Sequence, residues 1–138
     1  MSNSPELALQ EAIFLHLQQD TNVQAALGAS VRLYDDPPHA PGYPFASFGR
    51  HQSRPLDGDE TVLLEQELSL HIWSRHGGKS EAQKALHAFR EALKSMPSTM
   101  NGHQLVNLRI VFADIFRARD GRVFQAVLRL RALSQQSD

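Results

Sequence analysis

Residues 62–93 read VLLEQELSLHIWSRHGGKSEAQKALHAFREAL, and the reading of this stretch decides the fold. From Val62 to Trp73 the residues alternate. Val62, Leu64, Leu68, Leu70 and Ile72 fall on one side, and Glu65, Glu67, Ser69 and His71 on the other. A period of two is that of a strand with one wet face. A tight turn over Arg75-His76-Gly77-Gly78-Lys79 follows. Ser80 with Gln83 three residues later is a capping-box signature, in which each side chain satisfies a backbone N–H left unpaired at a helix start. The helix then places Ala82, Ala85, Leu86, Phe89 and Leu93 on one stripe, which predicts that it lies back on the dry face of the strand. Each large member of the stripe contributes roughly 1.5–3 kcal/mol when buried. Such a unit builds a two-layer α+β domain.

The same turn carries a false lead. Gly78-Lys79-Ser80 between a strand and a helix looks like the end of a phosphate-binding loop, whose backbone N–H groups and lysine surround phosphates. The full motif needs a glycine where Trp73 stands, and its strand is normally apolar on both faces, whereas Glu65, Glu67 and His71 point outward here. A turn with a helix start is the better reading.

Upstream, Ser4-Pro5 predicts a helix start, with a serine cap and proline at the first helical position. The helix to about Gln19 carries Leu7, Leu9, Ala12, Ile13, Phe14, Leu15 and Leu17, which wraps more than one stripe. Such a helix is expected to be contacted on two sides, by the sheet and by either a neighbouring subunit or the next short helix. That helix runs from Thr21 or Asn22 to Leu27, closed by Gly28 as a left-handed cap. Val31 to Tyr34 predicts a short strand, the prolines at 37, 38 and 41 a loop, and Tyr43 to Phe48 a strand that begins at or near an edge. The polar run from Arg50 to Glu60 is expected to be a mobile connection.

The strongest β signal comes late. Val106, Leu108, Ile110, Phe112 and Phe116 share one face, interrupted by Asp114; Phe124, Ala126, Leu128, Leu130 and Ala132 share one face of the returning strand. A two-residue turn at Asp120-Gly121 would set Phe124 opposite Arg117 and put the apolar sets on different faces. A three-residue loop of Arg119, Asp120 and Gly121 pairs Phe116 with Phe124 and is the expected hairpin. It leaves Asp114 on the core face, which is costly unless a bulge turns it out. Val111, Ala113 and Ile115 make the other face apolar too, so the strand is expected to be covered twice or to serve as an assembly surface.

Composition narrows the function. The 138 residues are most economically one domain, and the absence of cysteine removes disulfide and thiolate chemistry and favours an intracellular setting. No apolar run approaches the length of a membrane span. A net charge of −1 argues against a dedicated nucleic-acid binder. The charge is uneven, with seven acids against two arginines between Asp35 and Leu70, and six arginines against three acids from Leu105 onward. Faces of opposite sign suit a head-to-tail subunit contact. The seven histidines include no pair at the spacings a metal site wants, no serine sits in a nucleophile elbow, and Glu65 with Glu67 is more often a solvated pair than a catalytic one. No catalytic, cofactor-binding or metal-ligating residue is assigned.

The order of segments carries a resemblance. The chain has a helix over Leu7 to Leu17, then Val31-Arg32-Leu33-Tyr34-Asp35 followed by prolines, then Tyr43-Pro44-Phe45, then Leu70-His71-Ile72-Trp73-Ser74, and a last hairpin ending Leu128-Arg129-Leu130-Arg131-Ala132. Over nearly its whole length it resembles the tail terminator, or tail-completion, proteins of long-tailed phages, prophages and gene transfer agents. The resemblance implies one α+β domain over residues 1–138, with a mostly antiparallel sheet of about four to five strands packed with about two to three helices. It implies a homo-oligomeric ring, a hexamer, on the finished tail tube of a phage-like particle assembled in the bacterial cytoplasm. The partners implied are the tail tube protein and the head-tail connector protein, with DNA passing through the hole unread and uncut, no membrane, no cofactor and no enzymatic activity. In such a ring Arg109, Arg117, Arg129 and Arg131 are expected to meet acids of a neighbour, for which Asp57, Asp59, Glu60, Glu65 and Glu67 are available, with Trp73 at the contact. The alternative is a dimeric α+β module that binds a ligand or protein on its Trp73 and His71 face.

Overall fold

A computed structural model describes residues 4–56, 63–75, 79–119 and 121–137. Helix α1 spans Pro5–Gln19 and starts as its sequence demands: the Ser4 hydroxyl accepts the Leu7 N–H at 3.2 Å, with proline next to the cap. Helix α2 spans Thr21–Leu27, and its cap is Asp20, whose Oδ1 accepts the N–H groups of Asn22 and Val23 at 2.9 Å each. Gly28 ends it at φ +104° and ψ 153°, a conformation open to glycine but outside the left-handed helical region that was expected.

The strands are β1 (Leu33–Tyr34), β2 (Phe45–Leu56), β3 (Leu63–Ser74), β4 (Thr99–Met100), β5 (His103–Arg117) and β6 (Phe124–Gln136), with helix α3 (Ser80–Leu93) after β3. They form one six-stranded sheet in the order β1-β2-β3-β6-β5-β4, antiparallel except for the β1–β2 pair. Among the described residues this is an α+β fold with three helices, and the strands beyond the four long ones are two-residue edges. Leu9, Ile13 and Leu17 of α1 and Ala82, Ala85, Leu86, Phe89 and Leu93 of α3 are buried with Leu68, Leu70 and Ile72 of β3 and Ala126, Leu128 and Leu130 of β6. The helices therefore cover one face of the sheet only.

Several local expectations fail for identifiable reasons. Ser80 is already the first residue of α3, Lys79 is the cap residue, and no side chain caps the helix. The start is held instead by the buried Ser74 hydroxyl, which donates to Glu81 Oε1 at 2.6 Å. The first short strand keeps only Leu33–Tyr34 of its expected span. Residues 50–56, expected to be a mobile connection, continue β2, because β3 is long enough to pair with them as far as Leu56. Residues 57–60 of that connection lie outside the described residues, as do residues 76–78 of the turn before α3.

The hairpin adopts the register that the apolar pattern disfavours. Arg117 faces Phe124 and Phe116 faces Gln125, the Ala118 N–H bonds to the Val123 carbonyl at 2.7 Å, and Gly121 takes φ +75°. The sheet reconciles this with the core through register shifts between Ile110 and Phe112 and between Leu105 and Asn107. Each inserts one extra residue and swaps the faces of β5. Ile115, Ala113, Ile110 and Leu108 thus oppose the core residues Ala126, Leu128, Leu130 and Ala132. Asp114 is turned out, and Phe112 and Phe116 are turned out with it.

Candidate assembly interface

The face of the sheet without helices is built by alternation in β2, β3, β6 and the distal half of β5. Glu65 and Glu67 project from β3 beside Arg54 of β2 and Arg131 of β6. Arg54 Nη2 lies 2.9 Å from Glu65 Oε1, and Arg131 reaches Glu65 Oε2 at 3.8 Å and Glu67 Oε1 at 3.6 Å. Glu65 is the most enclosed, its side chain 11% exposed between the two guanidiniums. Both carboxylates lie within ion-pair distance of cations of their own chain, so Glu65 and Glu67 belong to a mixed-charge cluster with Arg54 and Arg131. The acids and arginines that were expected on opposing surfaces therefore interleave on one face at this point.

The other arginines expected at an interface are placed differently. Arg129 is exposed and lies over the Phe112 ring at 4.9 Å. Arg117 covers Phe124 at 5.0 Å and donates from Nη1 to the Gly121 carbonyl at 3.2 Å. Arg109 stands opposite Arg131 in the β5–β6 ladder and is exposed. Asp57, Asp59 and Glu60 lie outside the described residues.

Trp73 belongs to a run of rings across the same face. Tyr43 meets Phe45 at 5.3 Å between centroids, Phe45 stacks on Trp73 at 6.1 Å, and Trp73 stacks on His71 at 6.2 Å. Gln125 Nε2 lies 2.9 Å from His71 Nδ1, and burial holds the imidazole below its ordinary pKa. The His71 ring also occupies the space above Gly49 that a side chain there would need. These contacts fill the Trp73 and His71 face with the chain's own rings.

Two features were not read from the sequence. Gln66 is fully buried on the helix side of β3, where its amide bonds to His51, Ser134 and the Pro5 carbonyl and ties the start of α1 to three strands. Its position among Leu64, Leu68 and Leu70 was the available signal. The second feature is which apolar side chains of β5 are exposed: an assembly surface on this strand and a second contact for α1 were among the expectations, but with Phe112 and Phe116 on the core face. Leu7, Phe14 and Leu15 of α1 are 47%, 37% and 58% exposed; Val106, Val111, Phe112 and Phe116 of β5 are 50%, 40%, 44% and 37% exposed. Scattered single residues of this kind are ordinary; here they fall in two groups on two elements.

This fold recurs in solved structures. A chain of a native gene transfer agent virion superposes with a TM-score of 0.85 at 21% identity, covering 96% of this chain and 99% of that one. The gp17 protein of bacteriophage SPP1 does so with a TM-score of 0.63 at 20% identity, covering 96% of this chain and 91% of that one. No curated protein matches the chain. The family model described as tail completion protein gp17 matches residues 11–135, from the middle of α1 to the end of β6, and by that match the chain belongs to the tail completion protein gp17 family.

Proposed function

We propose that the chain is the subunit of a ring that closes the end of a finished tail tube and presents the surface on which the head-side connector docks. The family match over residues 11–135 carries this reading. The two groups of exposed apolar side chains support it, because a ring needs two different contact patches on each subunit. The chain acts as a shaped block, with DNA passing through the ring, and no reacting group is required of it. Arg109, Arg117, Arg129 and Arg131 remain the arginines proposed for contacts outside the chain, with Arg131 also 3.8 Å from Glu65 and 3.6 Å from Glu67 of its own chain.

The test is loss and restoration. Particles assembled without this chain are expected to carry tubes of uncontrolled length that fail to join heads, and adding the purified chain to regular-length tubes restores joining. Tubes of normal length joined to heads in its absence would exclude the role.

A further inference from the structure

The exposed apolar groups lie on different elements: Phe14 and Leu15 where α1 borders β2, and Phe112 and Phe116 on the helix-free face of the sheet. They also differ in shape and in charge. Between α1 and β2 there is a shallow depression of about 290 Å³ lined by Gln10, Glu11, Phe14, Leu15, Asp35 and Phe48. Its floor is apolar, and its rim carries the carboxylates of Glu11 and Asp35, both exposed. On β5, Phe112 stands 44% exposed with the Arg129 guanidinium 4.9 Å from its ring. One site is a hole with two anions at its edge; the other is an aromatic knob that carries a cation.

We infer that Phe112 and Arg129 of one copy plug the depression between α1 and β2 of the next copy. The Phe112 ring enters against Phe14, Leu15 and Phe48, and the guanidinium meets Glu11 and Asp35. An aromatic side chain seated in a desolvated pocket with a paired arginine is the usual anchor of a protein interface. The knob sits on β5 and the hole where α1 borders β2, with β3 and β6 between them in the sheet, so one copy cannot satisfy itself. Each contact leaves one knob and one hole free, which makes the interface heterologous and repeatable around a ring. The assignment rests on the proposed ring and names its subunit contact.

The two bulges in β5 explain how the knob arises. Without the shift between Ile110 and Phe112, the Phe112 side chain would point to the helix side, opposite the core residues of β6. Instead an aromatic ring is held at the surface, where folding alone gains little from it.

Disulfide trapping tests the contact, because the chain has no cysteine to confuse the result. The variant Gln10→Cys with Asp114→Cys places one thiol at the hole and one beside the knob, on the same face as Phe112. Mild oxidation is expected to give a ladder of covalent oligomers, from the purified chain at high concentration or from the chain on tail tubes. The control Lys84→Cys with Asp114→Cys moves the first thiol to α3 and gives none. Glu11→Arg in the trapping variant reduces the ladder by about tenfold, and adding Arg129→Glu restores it. No ladder in either setting, a ladder as strong from the control, or trapping of the Asp114→Cys thiol onto the tube protein each overturns the contact. A variant that completes tails without trapping leaves the ring reading intact and removes this interface. Trapping by a chain that leaves tube length and head joining unaffected keeps the interface and removes the tail role.

Discussion

Gly49 and His71 show how one backbone position depends on one ring. A Cβ built on Gly49 would lie 2.5 Å from His71 Cδ2, and that ring is pinned by Trp73 and Gln125. Gly49→Ala is therefore expected to cost about 1–3 kcal/mol in urea denaturation, as overpacking does. In a His71→Ala background the same change should cost only a small part of that. Equal costs in the two backgrounds would show that the backbone, and not the ring, sets the requirement for glycine. His71 also carries a pH dependence. Its folded pKa is depressed by burial, and the Gln125 amide donates to Nδ1, which only the neutral ring accepts. Below about pH 6.5 the unfolded chain takes up a proton that the folded chain resists, so this contribution is present above that pH and is lost as the pH falls. Stability measured from about pH 7 to about pH 5 is expected to fall more steeply for the unmodified protein than for His71→Gln. Parallel profiles would mean that other groups carry the slope.

At the scale of elements, the start of α3 separates a local signature from a tertiary one. The Ser80 and Gln83 spacing reads as a capping box, yet the bond that forms joins Ser74, at the end of β3, to Glu81. Ser74 is fully buried, so Ser74→Ala removes a bond to a carboxylate and is expected to cost about 1.5–3 kcal/mol. Ser80→Ala, which loses no cap bond, should stay within about 0.5 kcal/mol. Thermal or urea unfolding of the two variants decides it, and a larger cost at Ser80 would reinstate the box. Most elements were legible for physical reasons. The periods of β3 and α3 are long enough to outvote local exceptions, and Ser4-Pro5 opens α1 as its chemistry predicts, whereas Gly28 closes α2 at the expected place but not in the left-handed helical conformation expected of it. β5 was misread because a bulge leaves no residue signature of its own. Val106 and Val111 look like ordinary strand residues, and only the neighbouring β6 ladder fixes where the extra residue goes. Asp114 was the one visible sign that the simple alternation had to break.

At the scale of the molecule, the candidate site was half legible. Its residue types were visible, but their pairing was not, because Glu67 meets Arg131 only when β6 inserts between β3 and β5. No local pattern encodes that sheet order. Its consequence is electrostatic. Glu65 and Glu67 face Arg54 and Arg131 of their own chain, so the contact inferred above draws its charges from Glu11 and Asp35 at one patch and Arg129 at the other. Exposed charges at an interface rim act over about a Debye length, which is near 10 Å at 0.1 M salt and shorter above it. Self-association of the full chain is therefore expected to weaken as salt rises from about 0.05 to about 0.5 M, with most of the loss in the association rate. Glu11→Gln with Asp35→Asn should weaken association at low salt and flatten its salt dependence. Glu67→Gln, whose loss is felt within the chain, should leave the salt dependence unchanged. Sedimentation velocity across the salt series reads all three proteins, and a salt response that survives the first pair but vanishes with Glu67→Gln would move the working charges back to the helix-free face.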